Sequence, residues 1–184
     1  MGNRNRLRPT MGIVKKSFFD IIASRIGNSI FLDLFAGTGS VGIEALKRGA
    51  KKVIFVEKNY KYSEIIRKKT SRYDTNQRFE RKNFYRNFYD KNRYEIYRMD
   101  VWRFLNFPSI RIADIVYVDP PYDFLDTPLG KEFLQKLFQK AKGNCIITIE
   151  HRVSIQLDEI YAGFHVCRTR QFGETELTIY KRKE

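Results

Sequence analysis

Apolar residues recur along this chain in two rhythms. At Ile13, Val14, Phe18, Phe19, Ile21 and Ile22 they return every three or four positions, which predicts an amphipathic helix over residues 11–25 with Thr10 as its N-cap. Elsewhere they form short, mostly apolar runs of strand length. Residues 30–35 and 52–57 are two such runs, each followed by a helical stretch, the first stopped by Gly49 and the second reaching Arg72. Three more strands are predicted over 94–99, 112–118 and 144–150. Between them fall a short helix over 101–107, closed by Pro108, and a longer one over 128–142, ended by Gly143. The longer helix carries Phe133, Leu134, Leu137 and Phe138 on one face. Residues 160–170 and 174–181, joined through Gly173, read as a closing antiparallel hairpin.

Strands and helices thus alternate, and the central strands are apolar without a polar face. Both features predict an α/β domain: a doubly wound, Rossmann-like, mostly parallel seven-stranded sheet with helices on both faces. Residues 73–97 fit the pattern least and form a basic-aromatic insertion. Phe84, Tyr85, Phe88 and Tyr89 share one helical face there, but Asn83 and Asn87 lower the propensity, so a loop or irregular helix is expected. The chain divides into a basic extension over 1–16 and a single domain over 17–184, with no repeat or flexible linker.

Composition excludes several classes. Hydrophobic residues make up 42% of 184, enough for one substantial core and against a disordered chain. No run approaches the ~18 apolar residues that a membrane span needs. The polar start lacks a secretory pattern, and Arg6 stands where a myristoylation motif needs Ser or Thr. A cytoplasmic protein is the expectation, and nothing demands more than a monomer. Cys145 and Cys167 lie in apolar strand-like contexts and predict two buried thiols; His151 and His165 have no ligand spacing, so no metal site is expected.

The net charge is +14, and it is unevenly placed. Residues 1–16 carry five Lys or Arg and no acid, and residues 58–98 carry thirteen against five acids, while the rest is balanced. Clustered positive charge is the footprint of a polyphosphate partner.

The chemistry gathers at the ends of predicted strands. Asp119-Pro120-Pro121-Tyr122 follows the fourth strand. Pro121 keeps Pro120 out of the α region, and neither proline donates a backbone hydrogen bond, so the turn is stiff. It holds the Asp119 carboxylate and the Pro120 carbonyl as two acceptors beside the flat Tyr122 ring, which suits a planar base bearing an exocyclic amine. After the first strand, Gly37, Gly39 and Gly42 form G-x-G-x-x-G, with Glu57 twenty residues beyond Gly37. That spacing serves NAD, FAD and S-adenosylmethionine (SAM) alike. Asp33 favours SAM, because a carboxylate there repels a pyrophosphate but attracts sulfonium and ammonium charges. Asp100 ends the third strand, where it can accept from an adenine amine. All four ends share the carboxyl edge of the sheet, where open α/β folds bind ligands.

With these residues the chain resembles the bacterial small-subunit rRNA guanine-N2 methyltransferases, the RsmD type. The resemblance runs through Leu7-Arg8-Pro9-Thr10, Leu32 to Leu46, Val56-Glu57, Asp100, Val118 to Tyr122, Ile149-Glu150-His151 and residues 173–182. It implies a class I methyltransferase using SAM on small-subunit rRNA, free or in the assembling subunit. By that resemblance Asp119, Pro120, Pro121 and Tyr122 are the catalytic turn. Asp33, Phe35, Ala36, Gly37, Thr38, Gly39, Glu57, Lys58, Asp100 and Val101 are the candidate cofactor residues. Arg4, Arg6, Arg8, Thr10, Arg81, Lys82 and Arg86 are the candidate RNA contacts. Two departures stand out: the segment before Arg8-Pro9-Thr10 is short of the family's Gly- and Arg-rich stretch, and the stretch from Glu57 to Asp100 is longer than usual. The Asp-Pro-Pro-Tyr turn is shared with adenine-N6 methyltransferases of DNA or RNA, which stay as the alternative. A non-catalytic RNA-binding module is the second, though it would be expected to have lost part of the turn or the glycine loop.

Overall fold

The computed structural model describes residues 11–73, 88–91 and 93–183. Its elements run α1 (Met11–Ile21), α2 (Ala23–Ile26), β1 (Ile30–Leu34), α3 (Ser40–Lys47), β2 (Lys52–Val56) and α4 (Tyr60–Thr70). They continue with β3 (Phe88–Lys91), β4 (Tyr94–Tyr97), α5 (Val101–Phe104), β5 (Ile115–Val118), α6 (Pro128–Lys140), β6 (Ile146–Arg152), β7 (Ile160–Tyr161), β8 (Phe164–Phe172) and β9 (Thr175–Arg182). Thr10, Arg4, Arg6, Arg8, Arg81, Lys82 and Arg86 lie outside the described residues.

One sheet carries the order β3-β4-β2-β1-β5-β6-β9-β8-β7. The pairs β4–β2, β2–β1, β1–β5 and β5–β6 are parallel, whereas β9 is antiparallel to β6 and to β8. The seven expected strands are all present, and two short edge strands bring the sheet to nine among the described residues. β3 pairs antiparallel with β4 from Phe88↔Tyr97 to Lys91↔Tyr94, so part of the insertion is a strand rather than a loop or irregular helix. Its aromatic spacing fits a helical face equally well, and only the neighbouring strand resolves the ambiguity. β7 arises because Ala162 (φ 46°) and Gly163 (φ 82°) turn the chain back within what reads as one long strand.

The mostly apolar runs have both faces covered. Along β1, Phe31 packs into one cluster with Phe18, Phe19, Phe55 and Tyr117, while Leu32 and Leu34 enter the other with Val116, Phe133, Leu137 and Ile149. Each core holds a helix layer against the sheet: α1, α3 and α4 on one side, α5 and α6 on the other. The expected first helix breaks at Ile22 (φ −97°, ψ 10°) into α1 and α2, and Pro108 opens a 3-10 turn that delays β5 until Ile115.

Cys145 is buried as expected, and burial pushes its thiol up to about 12. Cys167 is exposed, contrary to expectation. The register slips between Val166 and Arg168, and this irregularity takes Cys167 out of the ladder with β9.

Candidate active site

β1 lies between β2 and β5, so the connections leave it in opposite directions and open a crevice at its carboxyl end. The crevice is a cavity of about 380 Å³ lined from the ends of β1, β2, β4, β5 and β6.

The glycine loop forms its floor. After Leu34 the chain enters the left-handed region at Phe35 (φ 60°), a strained conformation for a bulky residue. The Phe35 ring is fixed against Phe124 and Phe133, at 5.4 and 5.7 Å between centroids. The Ala36 N–H donates to the Val56 carbonyl at 3.0 Å, and Gly39 N–H donates back to the Ala36 carbonyl at 2.8 Å. Gly37 (φ 53°) faces the cavity, and a Cβ built there meets no protein atom within 4 Å.

Glu57 ties this loop to the next strand. Its two carboxylate oxygens accept the Gly37 N–H at 2.8 Å and the Asn59 N–H at 2.7 Å. Asn59 in turn caps α4, accepting from Lys61 and Tyr62. Asp33 lies deeper. It is 2% exposed, accepts the Gly42 N–H at 2.9 Å, and does not line the cavity. Burial raises its carboxyl to about 7, against the Gly42 hydrogen bond and with the help of the nearby Glu57 charge. Asp100 caps α5 by accepting the Trp102 N–H at 2.8 Å and sits at the wall with Val101.

The opposite wall is the turn after β5. Asp119 is exposed to the cavity, its N–H at 3.5 Å from the Leu34 carbonyl, and Pro121 accepts the Phe124 N–H at 2.9 Å. Tyr122 is 44% exposed, and the Arg152 guanidinium lies over its ring. From β6 come Glu150, His151 and Arg152. The buried Tyr117 hydroxyl donates to Glu150. His151 joins Thr178 Oγ1 at 2.8 Å, and burial lowers its pKa.

The cavity thus gathers Phe35, Gly37, Glu57, Lys58, Asp100, Val101 and Asp119 through Tyr122. Ala36, Thr38 and Gly39 lie along the loop without lining it, as does Asp33 beneath it. Tyr62, Glu150, His151, Arg152 and Thr175 line it without having been picked out as site residues. Glu150 carried the same signal as Asp100, an acid closing a predicted strand. Thr175 had none, because it arrives through the pairing of β9 with β6.

A family model described as conserved hypothetical protein 95 matches residues 1–181. Ribosomal RNA small subunit methyltransferase D of Haemophilus influenzae is 32% identical over 151 residues, covering 80% of this chain and 69% of that one. The chain belongs to the RsmD family. YlbH of Bacillus subtilis is 27% identical over 178 residues, covering 96% of this chain and 88% of its own length. The structure of yhhF from Escherichia coli superposes with a TM-score of 0.74 at 24% identity, covering 96% of this chain and 88% of that one. At that identity the likeness shows a shared class I methyltransferase fold. Among the described residues of this RsmD-family chain, no helix is long and apolar enough to cross a membrane.

Proposed function

We infer that this chain is a SAM-dependent methyltransferase of small-subunit rRNA, and we propose that it methylates the exocyclic N2 of a guanine. One observation carries the reading: the Asp119-Pro120 acceptor pair opens on the same cavity as Gly37, Glu57 and Asp100. Membership of the RsmD family supports the rRNA substrate.

The residues present fit the cofactor. The cavity is of small-ligand size. The Gly37 backbone leaves open space where any side chain would intrude, and its floor and wall carry the carboxylates of Glu57 and Asp100. In the proposed arrangement Phe35, Gly37 and the rest of the loop through Gly39 border the methionine part, Glu57 and Lys58 the ribose, and Asp100 and Val101 the adenine. Asp33 acts from below, by holding the loop-to-helix junction through Gly42.

SAM supplies an electrophilic methyl carbon. An aromatic amine is a poor nucleophile because its lone pair is delocalised into the ring. Asp119 and the Pro120 carbonyl accept its two N–H bonds, favour a pyramidal nitrogen and aim the lone pair. Positioning and electrostatics provide most of the rate. Asp119 then takes the released proton or passes it to water. Tyr122 stacks on the extruded base. We further propose that the enzyme works in the cytoplasm as a monomer. Its substrate is rRNA, free or in the assembling subunit, gripped by the basic residues of the N-terminal extension and the insertion.

The test is transfer of labelled methyl from SAM to unmethylated small-subunit rRNA, assembled small subunits and duplex DNA in parallel, read as modified nucleosides by mass spectrometry. N2-methylguanosine from ribosomal substrates is expected, and Asp119→Ala should abolish it while leaving SAM binding intact. N6-methyladenine from DNA would overturn the substrate, and no product on any of the three would overturn the enzyme.

A further inference from the structure

The Asp119-Pro120 turn explains how an exocyclic amine is held but not why a guanine is taken rather than an adenine. The answer lies on the neighbouring strand. β5 and β6 run parallel with Val118 opposite Ile149, so the next residues, Asp119 just past the end of β5 and Glu150 within β6, lie side by side. Adjacent strands lie about 4.8 Å apart. Both residues line the cavity.

Glu150 is held in place from behind. The Tyr117 hydroxyl donates to its Oε2, and Tyr117 is itself 1% exposed, with its ring 4.6 Å from that of Phe18. Burial, followed by the charges of Glu150 and Asp119, holds the Tyr117 proton well above the usual tyrosine range. Tyr117 is therefore a fixed donor, and Glu150 a fixed acceptor with capacity for several hydrogen bonds.

We propose that Glu150 selects guanine by accepting the N1–H of the target base, with Tyr117 as its positioning residue. The inference rests on the guanine-N2 reading and deepens it. Guanine presents N2–H2 and N1–H side by side on one edge, so a base whose amine sits on Asp119 and Pro120 turns N1 toward Glu150 on the neighbouring strand. Adenine presents its amine beside an N1 lone pair. That lone pair would face the Glu150 carboxylate, acceptor against acceptor, and the loss of a partner in an enclosed site is penalised strongly.

The test uses small subunits reconstituted with guanine or 2-aminopurine at the mapped target position. 2-Aminopurine keeps the exocyclic amine but offers N1 as a lone pair. The wild-type enzyme should prefer guanine by roughly tenfold or more in kcat/KM. Glu150→Gln, whose amide can donate to N1, should narrow that preference by about tenfold while SAM affinity is unchanged. Tyr117→Phe should lower the guanine rate and also narrow the preference. Equal losses on both bases in Glu150→Gln and Tyr117→Phe would show a merely structural role and overturn the inference alone. Absence of N2-methylation by the wild-type enzyme on the guanine substrate would overturn the guanine reading, and this inference with it.

Discussion

The Arg152 guanidinium lies over the ring of Tyr122, with its Cζ 4.4 Å from the centroid, and reaches the Asp123 carboxylate at 3.7 Å. The ring proposed to receive a base thus already carries a flat cation on one face. An exposed cation–π contact contributes about 0.5–1 kcal/mol, less than the about 1–3 kcal/mol of base–aromatic stacking, so a base stacking on that face would outweigh the arginine contact. Tyr122→Ala should lower kcat/KM for RNA by about 10–100-fold, as expected for a lost base stack, with Tyr122→Phe close to wild type. Calorimetry should find SAM affinity unchanged in both. Wild-type kinetics in Tyr122→Ala would remove stacking from the mechanism.

Glu57 should matter to the fold before any ligand binds. Its carboxylate is the acceptor for the Gly37 and Asn59 amides, and the residue is only 8% exposed. Glu57→Ala removes the charged acceptor of two part-buried amides, at about 1 kcal/mol each. The ligand-free melting temperature should drop by about 2–4 °C per kcal/mol for a chain of this size, and SAM affinity should fall as well. A melting curve identical to wild type would mean that the loop is held by other contacts.

Asp33 should make stability depend on pH. Its folded carboxyl, at about 7, lies above the ordinary 3.8. The folded state therefore binds more protons than the unfolded one, and stability falls as pH rises between those values. His151, lowered by burial, contributes the opposite slope as its ordinary value is crossed. The readout is accordingly the difference between wild type and Asp33→Asn in urea midpoints across about pH 4 to 7. The variant should lack the decline that Asp33 causes; superimposable profiles would show that Asp33 titrates normally.

Gly42 permits α3 to lie close against β2. A Cβ at this position would overlap the Phe55 ring and come within 2.9 Å of Val53 Cγ1. Gly42→Ala should therefore cost about 1–3 kcal/mol in chemical denaturation despite its better helix propensity. A stabilised variant would show that this contact is looser than it looks.

Much of the fold was legible because local patterns and global structure agree. Apolar runs such as 53–56 can be buried on both faces only in a central strand, and the glycine positions after Leu34 require a turn. Asn59 and Thr127 cap α4 and α6 through their own side chains, which is a local matter. The insertion was less legible because Phe88 and Tyr89 fit a helix or a strand equally well, and pairing with β4 decides between them.

The candidate site divides in the same way. The sequence by itself determined the chemical groups at the strand ends: a glycine loop, Glu57, Asp100 and the stiff turn from Asp119 to Tyr122. Each is a short-range consequence of where a strand stops. Tertiary structure alone decided which of them share a cavity, placing Asp33 beneath the loop and adding Glu150, Arg152 and Thr175 to the wall. The reason is physical: strand order and register bring together residues far apart in sequence, and no local pattern records which strands will be neighbours.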